Sequence, residues 1–139
     1  MTWWMYALVS ALAASATALL AKVGVTGVPS NLATALRTTV VLVFAWGLAS
    51  ASGDVGRLAS VKGRSLVFLA LSGIATGASW LAYFKALQMA PASRVAPIDK
   101  LSLASTVVLA ALLLGEPVSW RLGLGTGLMV AGALLTLGA

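Results

Sequence analysis

The sequence predicts an all-α integral membrane protein with five transmembrane helices, and three observations carry that prediction. Hydrophobic residues make up 60% of the 139 residues and charged residues only 9%, against roughly 25% charged in an ordinary soluble domain; mean hydropathy is +1.03. The apolar residues gather into five runs, each close to the about 20 residues that a helix needs to cross the hydrocarbon core of a bilayer. Gly, Pro and charged residues punctuate those runs. Basic side chains collect at the run ends, where they set topology and extend to the headgroups.

The first run, residues 3–21, opens on Trp3, Trp4 and Tyr6 and closes before Lys22. The aromatic rings suit the membrane–water interface. Ala11, Ala13, Ala14, Ser15, Ala16 and Ala18 give the run small side chains that let neighbouring backbones approach. Met1-Thr2-Trp3-Trp4 carries no basic residue ahead of the apolar run, so the segment reads as a retained span and not a cleaved signal. Gly24, Gly27 and Pro29 then interrupt the helix, with Ser30 or Asn31 placed to cap the next.

The second run, residues 32–51, contains Arg37 about 8 Å past its start at 1.5 Å rise per residue. At that depth Arg37 either snorkels to the interface or faces inward, to pair with a carboxylate or receive an anionic substrate. The connection from Ser52 to Arg64 is the polar one, with Asp54, Arg57, Lys62 and Arg64, and reads as a solvated loop.

The third run, residues 65–87, has Gly73, Gly77, Ala78 and Ser79 for close packing and groups Trp80, Tyr83 and Phe84 near its end. Those rings are either interfacial anchors or, facing inward, a stacking surface for an apolar or cationic substrate. Lys85 falls in the last turn, where a cation suits the helix terminus.

The fourth run, residues 94–114, is expected to be broken near its entry. Pro91 closes the preceding helix, Ser93 is a cap candidate, and Pro97 removes a donor within the first turns. Irregular backbone at membrane depth survives only where it is shielded from lipid, which makes a broken entry a recipe for a substrate site. Asp99 and Lys100 follow directly. On a continuous helix they point about 100° apart and are expected to find partners elsewhere. Gly115-Glu116-Pro117 ends this helix, with Glu116 read as part of the turn. Ser119 is placed to cap the fifth run, residues 120–137, in which Gly123-x-x-x-Gly127 forms a small-residue helix-contact pattern.

Length allows one domain, residues 1–139. The net charge of +6 is scattered and forms no patch, so nucleic acid is not an expected partner. The chain has no Cys, no His and three acidic residues. Disulfides, thiol chemistry, a metal centre and a nucleophile–base pair therefore find no residues, and neither an enzyme nor a resident cofactor is expected.

Several of these features occur together in one known family. Lys22 ending the first span, Arg37 early in the second, the tract Y-F-K-A-L-Q-M-A-P-A-S-R-V-A-P-I-D-K-L-S from Tyr83, L-L-L-G-E-P and the closing L-G-x-G-x-x-L-M-V-A-G-A-L-L together resemble one EamA domain of the drug/metabolite transporter (DMT) superfamily. The resemblance spans nearly the whole chain and is densest from Tyr83 to Pro117. It implies half of a ten-helix DMT-type transporter, since better-known members carry two such domains in tandem. It also implies a secondary transporter that moves a small metabolite by alternating access.

Five spans are an odd number, so a tandem second copy would be inverted; a lone unit reproduces that inverted repeat by pairing with a second copy of opposite orientation. The expected partners are thus a small-molecule substrate, the lipid bilayer, and either a homodimer mate, antiparallel included, or a second half-size chain. Charge bias chooses no orientation: Arg57, Lys62, Arg64 and Arg121 fall on the side of the N-terminus, and Lys22, Arg37, Lys85, Arg94 and Lys100 toward the other. Dual topology follows as an expectation, in a bacterial or archaeal cytoplasmic membrane. Substrate-binding or coupling candidates are Arg37, Trp80, Tyr83, Lys85, Pro97, Asp99 and Lys100; among them Asp99 is the candidate proton carrier, because a desolvated carboxylate is driven toward its neutral form. Gly123 and Gly127 are the helix-contact candidates. Two alternatives stay open: a flippase component for a lipid-linked carrier, and a membrane assembly subunit that transports nothing.

Overall fold

A computed structural model describes residues 2–138. Every regular element among them is helical: α1 Trp3–Gly24, α2 Ser30–Ala51, a 3-10 helix Asp54–Ser60, α3 Gly63–Met89, α4 Ala92–Asp99, α5 Ser102–Leu114, α6 Trp120–Leu135 and a 3-10 turn Thr136–Gly138. Four stretches are long and apolar enough to cross a membrane: α1, α2, α3, and α4 with α5 taken together as Ala92–Leu114. The fifth expected span differs. Its α-helix has 16 residues, Trp120–Leu135, because the backbone tightens to 3-10 geometry at Thr136.

The fourth expected span is interrupted, but not at Pro97. The chain stays helical through Pro97 and leaves the helix at Lys100 and Leu101. The ring of Pro97 fixes a φ that a helix accepts and removes the N–H that would have bonded the carbonyl of Ser93. The turn weakened in this way precedes Pro97, whereas the helix ends after Asp99. There the backbone closes by tight i→i−3 bonds, from Leu101 N–H to Ile98 O at 3.0 Å and, in the first turn of α5, from Ala104 N–H to Leu101 O at 3.1 Å.

Termini follow local chemistry. Ser119 caps α6 as expected, its Oγ accepting from the N–H of Leu122 at 3.2 Å. At α2 and α4 the cap position falls instead on Pro29 and Pro91, and neither Ser30 nor Ser93 makes a side-chain cap. Gly115 ends α5 in the left-handed region, φ 68°, with the Glu116 N–H reaching back to Ala110 O. The N–H of Gly115 bonds the same carbonyl, and a side chain at this left-handed position would be strained.

Contacts divide the described chain into two groups. One comprises residues 20–88, the other residues up to 19 together with those from 89 onward. In the first, Val25, Thr34, Phe84 and Leu87 are buried, and the 3-10 helix packs against α2. In the second, α6 packs against α5 and α4 around Val95, Thr126 and Ala133. Large apolar side chains elsewhere face outward, as with Leu112 at 75% exposure and Leu135 at 78%. Lipid tails are as apolar as leucine, so a bilayer removes the penalty of such a surface.

Candidate functional site

Arg37 lies seven residues into α2, about 10 Å along the helix, and is half-buried. Its guanidinium carbon stands 4.1 Å from the ring centroid of Trp80 and 5.5 Å from that of Phe84, both on α3. Trp80 and Phe84 sit four residues apart, the spacing that stacks two side chains on one helix face. Tyr83 adjoins them, its ring 6.4 Å from Phe84 and tilted by 46°. Phe84 is 2% exposed and forms the floor of this cluster.

Magnitudes show what the rings do for the charge. An Arg deep in a membrane helix costs on the order of 3 kcal/mol, and a desolvated cation–π contact returns up to about 2 kcal/mol. The rings therefore hold Arg37 in place without neutralising it. Two of the three acidic side chains are engaged elsewhere: Asp54 with Arg57 at 3.9 Å and Asp99 with Lys100 at 3.2 Å. Arg37 makes no ion pair among the described residues. Thr34 and Thr38 present no donor beside it, since each hydroxyl donates at 2.8 Å to a carbonyl one turn back.

Toward the start of α2 lies a cavity of about 540 Å³, lined by Lys22, Gln88, Leu87 and the turn from Val25 to Pro29. Two side chains fasten its walls. Lys22 Nζ donates to the carbonyl of Leu87, and Gln88 Nε2 donates to that of Val28 at 2.6 Å. Leu87 O is among the last four carbonyls of α3, which lack helical partners and carry the negative end of the helix dipole, so a lysine is well placed there. Leu87 itself is fully buried beneath the turn. Gly27, at φ 74°, lets the chain reverse between α1 and α2.

The remaining sequence candidates fall as follows. Lys85 is exposed. Pro97 is half-buried within α4, and Asp99 and Lys100 pair with one another where the helix ends. The expectation that those two would look elsewhere fails because Lys100 is already leaving the helix, where its four-carbon stem reaches back around the end. Gly123 and Gly127 are exposed, with no atom within 4 Å of where a Cβ would stand. No cluster of three or more His, Cys, Asp or Glu occurs among the described residues.

Residues 1–138 match the EamA-like transporter family. The chain belongs to that family. This EamA-family chain is also similar to a Sinorhizobium sp. protein described as an uncharacterized transporter in the cobO 3' region. The two are 46% identical over 134 residues, covering 96% of this chain and 95% of the relative. No solved structure matches it. Lys22 and Gln88 were not among the site residues expected from sequence, because both act on main-chain carbonyls that no side-chain pattern announces. Lys22 stood out there only as the residue ending the first span.

Proposed function

We propose that this EamA-family chain is a secondary transporter that moves a small metabolite by alternating access, assembled as a dimer of five-helix units. The observation that carries the proposal is Arg37: a half-buried cation, held by Trp80 and Phe84 and without a carboxylate partner among the described residues, in a chain of a transporter family. The relative is matched over 95% of its own length and is itself of single-unit size, which supports assembly from two chains. Pairing two units in opposite orientation supplies the inverted repeat on which alternating access rests.

The interruption at Lys100 and Leu101 supports a coupling role for Asp99. In this reading Asp99, paired with Lys100 at 3.2 Å where the helix ends, is the group that carries the coupling ion. The test is flux into proteoliposomes carrying an imposed proton gradient. Wild-type protein is expected to accumulate its substrate against a concentration difference, and Asp99→Asn is expected to reduce this to downhill exchange. Gradient-driven accumulation that survives in Asp99→Asn removes Asp99 from the coupling step. Absence of flux for every solute class leaves a membrane assembly subunit as the better reading.

A further inference from the structure

We propose that the Arg37–Trp80 cluster is a recognition site for a small organic oxyanion, one carrying a carboxylate or phosphate group. The inference rests on the transporter reading above and names the substrate class.

The argument is an inventory of hydrogen-bonding groups around the cluster. Guanidinium is planar, with five N–H donors directed outward in its plane and no acceptor. The guanidinium carbon of Arg37 lies 4.1 Å from the ring centroid of Trp80 and 5.5 Å from that of Phe84, and a contact with ring faces supplies no oxygen acceptor to those N–H donors. Trp80 adds an indole N–H, which meets no acceptor among the described residues. Thr34 and Thr38, one turn apart on the same helix, have turned their hydroxyl hydrogens to the backbone. The cluster thus combines a fixed positive charge with unspent donors. A ligand that answers it presents acceptors and negative charge, and the fork of guanidinium N–H groups matches two oxygens of one planar or tetrahedral group.

Alternatives fit less well. A cationic substrate using the same rings would have to displace Arg37 from Trp80 and approach a like charge. A neutral sugar presents as many donors as acceptors and leaves the charge unmatched. The cavity near the start of α2 carries a second basic side chain, Lys22, with its ammonium held by the Leu87 carbonyl.

The test measures thermal stabilisation of detergent-solubilised protein by succinate, inorganic phosphate and glycerol 3-phosphate, with choline and glucose as contrasts, followed by proteoliposome flux of the same probes. Succinate and the two phosphate probes separate carboxylate from phosphate preference. The site predicts stabilisation by at least one oxyanion and by neither contrast probe. Arg37→Met is expected to weaken the response at least about tenfold, the effect of losing a charged hydrogen-bond partner. Arg37→Lys retains the charge without the fork and is expected to fall between wild type and Arg37→Met. Trp80→Phe preserves the ring face, removes the N–H, and should weaken binding a few-fold while the protein stays folded. Arg37→Lys and Trp80→Phe keep the test decisive should Arg37→Met fail to fold.

Stabilisation by choline or glucose alone, an oxyanion response unchanged in Arg37→Lys and Trp80→Phe, or no response to any probe overturns the assignment. Flux restricted to choline or glucose overturns it too, while leaving the transporter reading in place. Oxyanion binding that depends on Arg37 but produces no flux upholds the site and overturns transport.

Discussion

Thr126 shows at residue scale how much one hydroxyl matters where water is absent. Its Oγ1 is buried without a hydrogen-bond partner among the described residues, whereas Thr34, Thr38, Thr39, Thr76 and Thr106 all donate to the carbonyl four residues back. Valine has nearly the same shape and no polar atom, so Thr126→Val removes an unmet group without opening a cavity. The expected result is stabilisation of about 1 kcal/mol, read as a higher midpoint in thermal or detergent unfolding. A lower midpoint would show that Thr126 has a partner in the assembled protein. Residue-scale legibility was uneven. The depth of Arg37 could be counted along α2, and the spacing of Trp80 and Phe84 could be counted along α3. What counting does not show is that these two helix faces meet. For Asp99 and Lys100 the error arose from assuming an unbroken helix, since the pairing depends on where the helix stops.

Among the elements, the turn between α1 and α2 has the clearest mechanical role. It is fastened at two points to the end of α3, by Lys22 on Leu87 O and Gln88 on Val28 O. Each side-chain tie is worth roughly 1 to 3 kcal/mol, so the turn opens readily enough to take part in a transport cycle. A single cysteine at Thr26, in a chain that has none of its own, reports that opening by its rate of thiol labelling. Lys22→Met and Gln88→Leu are each expected to speed labelling several-fold, and the double variant more; unchanged rates would show that the turn is held by Val25 and Leu87 packing alone. Helix ends divide along the same line of legibility. Ser119 and Gly115 act within four or five residues of themselves and could be read directly. The interruption at Lys100 sits three residues past Pro97, and the missing N–H of Pro97, which affects the turn before it, does not locate that break.

For the whole molecule, the near-even spread of Lys and Arg leaves orientation undetermined by charge, and the antiparallel dimer we propose is an arrangement that uses both orientations. Ser60 and Thr26 lie beyond opposite ends of α2. Cysteine placed singly at each, then labelled from outside intact cells, is expected to react partially at both sites. Strictly one-sided labelling would exclude dual orientation and leave a parallel dimer or a second half-size chain. The all-helical class was legible because apolar runs near 20 residues have few other uses. The number of crossings was not, since it turns on the last helix. Trp120–Leu135 rises about 24 Å at α-helical pitch, short of the about 30 Å of hydrocarbon. The 3-10 turn Thr136–Gly138 stretches the backbone by about 2 Å per residue and contributes about 6 Å more. The fifth crossing we propose thus rests on a change of pitch in three residues, and bilayers of longer acyl chains would test its reach first.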